Sequence, residues 1–131
     1  MTTAEVKAWF SRYLDAFAAY GREESDPRSL LEYYAVPLLL AIEDRFVALQ
    51  NENQIEVEGQ QQVSDLVEAG YDHSETLASE ITVLNGAAAL YRGEFSRNRR
   101  DGSEIGRLAA TYLITKGTAG TRISAIAVHA A

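Results

Sequence analysis

Two hydrophobic periods divide the chain. Before about residue 74 apolar side chains recur every three or four positions, as on one face of a helix; from Ser74 onward they alternate every second position, as on a strand. Helices are therefore expected first and a sheet second. Because each apolar helix face must be buried, we expect three N-terminal helices packed on one face of the sheet, in a single α+β domain over residues 1–131.

Capping residues mark the first and third predicted helices. Thr2 and Glu5 have the spacing of a capping box, and Gly21 stands where the first helix is expected to end. Gly70 is placed to end the third helix. The apolar stripe of the first helix comprises Val6, Phe10, Tyr13, Leu14, Phe17 and Tyr20.

Between the first and third predicted helices, Asp26-Pro27 predicts the N-terminus of a short second helix, which Pro37 is expected to end. Two short strands around a turn at residues 43–45 follow. Four alternating runs then occupy residues 74–130, joined by Asn85-Gly86 and by two further turns at 100–102 and 117–120. Asn-Gly and Asp-Gly favour hairpins because these residues accept positive φ, so the runs predict a four-strand antiparallel meander.

The composition is that of a soluble globular domain, with 47% hydrophobic and 24% charged residues. The absence of cysteine excludes thiolate chemistry and suits a reducing compartment. The N-terminal segment has no signal-peptide pattern, and the longest apolar run, around Pro37, is too short to span a bilayer. We therefore expect a cytoplasmic protein without membrane association.

The net charge of −7 is unevenly distributed. Residues 1–80 contain 16 acidic and 5 basic side chains, a balance of −11, whereas residues 81–131 contain 3 acidic and 7 basic, a balance of +4. An acidic chain repels phosphate backbones, so nucleic-acid binding is not expected. The arginines at 97, 99, 100 and 107 surround a hairpin tip, where a charged edge is a commoner explanation than an anion site.

Several short stretches together resemble one known family. They are Tyr33-Tyr34-Ala35-Val36-Pro37, Asn85-Gly86, Arg99-Arg100-Asp101-Gly102, Tyr112-Leu113 and Gly120-Thr121-Arg122-Ile123. Their order resembles the SnoaL-like branch of the nuclear transport factor 2-like superfamily, over essentially the whole chain. The resemblance implies a cone-shaped fold, with a strongly curved, mostly antiparallel sheet around a long first helix and a pocket at the open end. Members include isomerases, cyclases, dehydratases, hydrolases and non-catalytic modules, so no activity is specified.

Strand alternation predicts which side chains face the helices. Tyr91 and Tyr112 fall on that side among small and apolar neighbours. With Tyr13 and Tyr33 from the helices, they would form an aromatic, ligand-binding cavity with hydroxyl tips. Such a lining suits a small, flat, largely apolar ligand with one or two polar groups and needs no cofactor. Simple core packing is the alternative for each tyrosine.

The opposite face of the sheet is expected to carry Leu90, Ile123, Ala125 and Ala127. This mixed apolar surface is a candidate for self-association, and the resemblance also implies a twofold homodimer through the sheet. A monomer with a tolerably polar outer face is the alternative.

Asp72-His73 is the candidate catalytic pair. His73 would act as a general acid or base at the cavity mouth and Asp72 would orient it, but a solvated loop is the commoner reading of adjacent polar residues. No metal site is expected, since the two histidines have no ligand spacing. Glu80 and Glu94, the strongest acids on the strands, are both expected to face solvent.

Three functions therefore stay open: a small-molecule-binding domain, an enzyme of the isomerase, cyclase or dehydratase type, and a protein-interaction module with a vestigial cavity. A cavity lined by tyrosines around a titratable group would favour the enzyme. A cavity filled by Phe10, Phe17 or Phe95 would favour the interaction module.

Overall fold

A computed structural model describes residues 1–130. Within them two α-helices pack on one six-stranded sheet of order β2-β1-β6-β5-β4-β3, which is antiparallel throughout except between β1 and β6. The predicted α+β class and the four-strand meander, β3 to β6, are confirmed. In chain order the elements are α1 (Thr3–Gly21), β1 (Tyr34–Ile42), β2 (Arg45–Leu49), α2 (Glu52–Ala69), β3 (Tyr71–Asn85), β4 (Ala88–Arg99), β5 (Glu104–Gly117) and β6 (Gly120–His129).

Helix α1 begins and ends where its sequence predicts. The Thr2 side chain accepts a hydrogen bond from the Glu5 backbone N–H at 3.1 Å, which caps the first turn. At the other end Gly21 is buried against Tyr71, and a Cβ there would lie 2.6 Å from the ring atom Cε2. The glycine is thus required by close packing between α1 and β3.

The second predicted helix is wrong. Asp26 does cap a turn, since its carboxylate accepts from the Arg28 N–H at 2.7 Å, but the following bonds run from residue i+3 to residue i and form only a 3₁₀ turn at Leu31–Tyr33. Tyr34 instead begins β1, where it pairs with Ile123 of β6. Pro37 lies inside β1, at an irregularity where a missing N–H removes no ladder bond. Pairing with a distant strand has overridden the local helix signals.

Helix α2 starts earlier than its apolar spacing indicates. Asn51 caps it by accepting from the Gln54 N–H at 2.9 Å, and the Gln54 side chain accepts from the Gln50 N–H at 2.7 Å. The helix ends at Gly70 as predicted, in the left-handed conformation with φ of 83°.

Bulges shape the sheet and redirect side chains. Ser124 is an extra residue in β6, because Leu113 pairs with Ala125 and the next residue, Ile114, pairs with Ile123. The prediction that Ile123 lies on the outer face is therefore wrong: Ile123 is fully buried in the core, while Ala125 and Ala127 keep the outward direction. Simple alternation fails here because a bulge shifts the period by one residue.

The core is centred on Phe10 of α1. Its ring stacks on Tyr91 with centroids 3.7 Å apart and meets Tyr112 edge-on at 4.7 Å. Phe10 is 1% exposed, so it anchors α1 to the middle of β4 and β5.

We predict that Gly93→Ala destabilises the protein. Gly93 is buried on β4 beneath the ring of Phe95, and a Cβ would lie 2.3 Å from Cζ of that ring. The Phe95 ring must therefore leave its packed position, and we expect a loss of about 1–3 kcal/mol in the free energy of unfolding. Urea unfolding measures it.

The matched control is Gly106→Ala on the paired strand β5, where a Cβ meets nothing within 4 Å. Its effect should stay within about 1 kcal/mol of zero. Equal stability losses in the two variants would contradict the packing argument.

Candidate functional site

A cavity of about 310 Å³ lies between α1, α2 and the inner face of the sheet. Its wall is mostly aliphatic and aromatic, and residues from α1, α2 and all six strands contribute to it. The aliphatic part includes Leu38, Leu40, Ile55, Leu108, Ile126 and Val128. Phe17 and Phe95 form parts of the wall without filling the space. Such a volume and lining are typical of a site for a small organic molecule.

Four tyrosines line this wall, Tyr13, Tyr20, Tyr34 and Tyr112, and three of their hydroxyls form a buried group. The hydroxyls of Tyr13 and Tyr34 are hydrogen-bonded at 2.8 Å, and Tyr112 stands nearby. Part of the Tyr34 residue is accessible, but its hydroxyl lies in the interior, where burial raises its pKa to about 12. Burial also raises the pKa of Tyr13 and of Tyr112. All three are therefore neutral hydroxyl groups at neutral pH.

Arg97 brings a positive charge to the cavity wall. It has the same strand parity as Tyr91 and Phe95, and its guanidinium carbon lies 5.7 Å from the centroid of the Phe17 ring. Burial lowers the pKa of Arg97, and the neighbouring hydroxyls of Tyr112, Tyr71 and Tyr13 act in the opposite direction. Among the described residues no carboxylate forms an ion pair with it.

This placement corrects the assignment of Arg97 to a charged hairpin tip. The other arginines of that group do lie there: Arg99 donates to the Ala69 carbonyl at 2.9 Å, Arg107 pairs with Glu104 at 3.0 Å, and Arg100 is exposed in the turn. The alternation that places Tyr91 and Phe95 on the inner face extends to Arg97. The sequence contains this alternation, but four closely spaced arginines, taken as one group, favour a charged hairpin edge.

Of the four tyrosines predicted to bind a ligand, Tyr13 and Tyr112 line the cavity. Tyr91 does not, because Phe10 covers its ring. Tyr33 packs outside the cavity against Trp9, with centroids 5.6 Å apart. Tyr34 takes the position in the lining that was expected for Tyr33. Tyr34 belongs to β1 and not to a helix, and it faces the cavity together with Leu38 and Leu40 of the same strand.

The acidic groups of the lining lie on α2, at the rim. Glu56 pairs with Arg28 at 2.6 Å, and Glu58 forms an ion pair with Arg45. Both arginines come from segments that pack beside α2. These two carboxylates are therefore already partnered by cations, whereas the third of the lining, Asp65, accepts a hydrogen bond from Gln61 at 3.2 Å.

Asp72 and His73 form a contact, but they do not reach the cavity. His73 Nδ1 lies 2.9 Å from Asp72 Oδ2, with side-chain exposures of 38% and 34%. The pair lies at the start of β3, not in a solvated loop, and a bulge between Tyr71 and His73 lets adjacent side chains meet. His73 borders a separate groove, which shares only Leu14, Phe17 and Ser74 with the cavity wall.

The two acids on the strands also lie outside the cavity. Glu94 is half-buried on the outer face, 3.4 Å from Arg92 of the same strand, and Glu80 is exposed opposite Arg92 in the register. Among residues 1–130 no group of three or more histidine, aspartate or glutamate side chains is arranged to hold a metal ion. No helix in that part of the chain is long and apolar enough to cross a membrane.

Residues 4–131 match the family described as NTF2-like protein (DUF6841). The chain belongs to this family. The resemblance to the nuclear transport factor 2-like superfamily is thereby confirmed. No curated protein matches the sequence significantly.

Solved structures share the fold at low sequence identity. An NTF2-like protein with a cystatin-like fold from Novosphingobium aromaticivorans is 20% identical, with a TM-score of 0.70, covering 95% of this chain and 79% of its own. An NTF2-like protein of unknown function from Shewanella oneidensis is 16% identical, with a TM-score of 0.68 and coverages of 91% and 94%. A putative calcium/calmodulin-dependent protein kinase II association domain from Xanthomonas campestris is 16% identical, with a TM-score of 0.71 and coverages of 100% and 89%. At these identities the similarity shows the fold alone.

The buried tyrosine cluster predicts a loss of stability in alkali. The pKa of Tyr34 is about 12 in the folded protein and about 10 when unfolded, so the folded state retains a proton that the unfolded state releases over that range. The contribution of the neutral Tyr34 hydroxyl to the free energy of unfolding is complete below about pH 10 and disappears as pH rises through about 12. We expect Tyr34→Phe to reduce the alkaline stability loss by on the order of 2 kcal/mol.

The measurement is urea unfolding at about pH 9 and about pH 12. Tyr33→Phe, outside the cavity, is the control and should lose as much stability in alkali as the unmodified protein. An alkaline loss that Tyr34→Phe leaves unchanged would refute the assignment to Tyr34.

Proposed function

We propose that this protein binds a small, largely apolar molecule inside the cavity. The observation that carries the proposal is the cavity itself, about 310 Å³ with an apolar wall and a few converging polar groups. An apolar molecule entering it would leave water on most sides, and the hydroxyls of Tyr13, Tyr34 and Tyr112 would fix its orientation.

The groups in the wall favour binding over catalysis. A general acid or base works best with a pKa near the operating pH, whereas burial moves the pKa of Tyr13, Tyr34 and Tyr112 upward, away from neutrality. His73 borders the other groove. A vestigial cavity is also disfavoured, because the wall residues Phe17 and Phe95 leave the space open.

Filling the cavity should abolish binding. Ala110 is 1% exposed and lines the cavity on β5, so the ring of Ala110→Phe would occupy the space of a ligand. The probe is 1-naphthaleneacetamide, a flat neutral molecule, titrated by calorimetry. We expect one molecule per chain with the unmodified protein, and affinity at least about tenfold weaker in the variant, which corresponds to about 1.4 kcal/mol.

The matched control is Ala127→Phe on β6, which adds the same ring on the outer face opposite Thr111. It should bind the amide like the unmodified protein. The proposal fails if the unmodified protein binds neither the amide nor the corresponding carboxylate, 1-naphthaleneacetate, or if both variants bind the amide equally well.

We also propose that two copies associate through the outer face of the sheet. Apolar side chains there form a continuous row across four strands, because Leu90 pairs with Leu113, Leu113 with Ala125, and Ala125 with Leu39. Leu39 is 36% exposed. A twofold axis through this row would bury it against its own copy.

The cytoplasm is the compartment that we propose, since a chain without cysteine suits reducing conditions.

A charge in the row should separate the copies. Leu113→Glu would place two carboxylates near each other across the axis, and sedimentation should then give the mass of one chain, 14.4 kDa, in place of twice that mass. Val57→Glu, on the exposed side of α2, should leave the mass unchanged. A single-chain mass for the unmodified protein would refute the dimer.

A further inference from the structure

We propose that the ligand of the cavity is an amphipathic organic acid whose carboxylate pairs with Arg97. This inference rests on the proposed function and adds to it the chemical class of the ligand. The polar end of the molecule would lie at Arg97 on β4, and its apolar body would extend along the sheet toward β6 and β1.

The surroundings of Arg97 provide the first argument. Strand β4 is held on both sides, where Arg97 pairs with Ser74 of β3 and with Gly106 of β5, so the backbone that carries the side chain is rigid. Arg97 is half-buried, and an arginine withdrawn from water generally has a carboxylate partner, because removing the charge from water is costly. Around Arg97 the described chain offers phenol hydroxyls and the ring of Phe17.

The second argument is the contrast with the other arginine of the wall. Among the described lining residues Arg45 also carries a guanidinium, but Glu58 neutralises it at the rim. The face of Phe17 attracts the Arg97 cation without neutralising it. Because a guanidinium stays charged at neutral pH, an anion from outside the chain is the group that would complete the site.

The polarity of the cavity gives the third argument. From β4 the sheet continues through β5 to β6 and β1, and neighbouring strands are about 4.8 Å apart. The aliphatic wall formed by Leu38, Leu40, Ile126 and Val128 therefore begins about 10 Å from the strand of Arg97. A molecule with one carboxylate and an apolar body of about that length would place its carboxylate at Arg97 and its apolar body against this aliphatic wall. Arg97 is already partly desolvated, so the carboxylate meets a preorganised partner.

The test compares two probes that differ in charge and hardly in shape, 1-naphthaleneacetate and 1-naphthaleneacetamide, by calorimetry at neutral pH. The unmodified protein should bind the acetate at least about tenfold more tightly than the amide. Arg97→Met should remove this preference while keeping the affinity for the amide. Arg97→Lys, which retains the charge without the planar fork, should keep part of it.

The control variant is Arg92→Met on the outer face of the same strand, where the arginine lies 3.4 Å from Glu94. It should keep the full preference for the acetate. Circular dichroism of each variant checks folding, and the comparison of the two probes on the unmodified protein needs no variant.

Two results would overturn the inference while leaving the proposed function intact: equal affinity of the unmodified protein for both probes, or an acetate preference that persists in a folded Arg97→Met. Failure of the unmodified protein to bind either probe would overturn the proposed function and this inference with it.

Discussion

The fold depends on burial of the aromatic stripe of α1 against the inner face of the sheet. Phe10 lies at the centre of that contact, stacked on Tyr91 and edge-on to Tyr112, so one side chain fixes the helix to two central strands. Aromatic rings remove large apolar areas from water and prefer these offset and edge-on geometries. The contact also divides the inner face, because the part under Phe10 is solid core and the part beyond Tyr13 stays open as the cavity.

With α1 packed on the sheet, the chemistry of the cavity follows from the desolvation of the polar groups in its wall. The same burial raises the pKa of the tyrosine hydroxyls and lowers that of Arg97, so the wall combines neutral hydrogen-bonding groups with one cation, Arg97, that has no carboxylate partner among the described residues. The carboxylates of the lining lie on α2 with partners of their own, Glu56 with Arg28, Glu58 with Arg45 and Asp65 with Gln61. This separation of charge is a property of recognition sites, in which few polar groups orient a mostly apolar ligand.

The sequence predicts the regular parts of this fold well. Caps and hairpin turns are local, so Thr2, Gly70 and Asn85-Gly86 mark element ends without knowledge of the rest of the chain. The errors occur where distant segments meet. Tyr34 leaves a locally plausible helix to pair with Ile123, and the bulge at Ser124 turns Ile123 from the outer face to the core. Neither event has a local signature strong enough to read.

The candidate site divides in the same way. By itself the sequence determined that small, apolar and tyrosine side chains alternate along the meander, and this placed Tyr112 on the inner face. Only the tertiary structure decided which of these positions are covered by α1 and which face open space, since Tyr91 and Phe95 have the same parity but different neighbours. It also separated His73 from the cavity and put Arg97 into it. The physical reason is that alternation specifies a face of the sheet, whereas burial and ion pairing depend on what packs against that face.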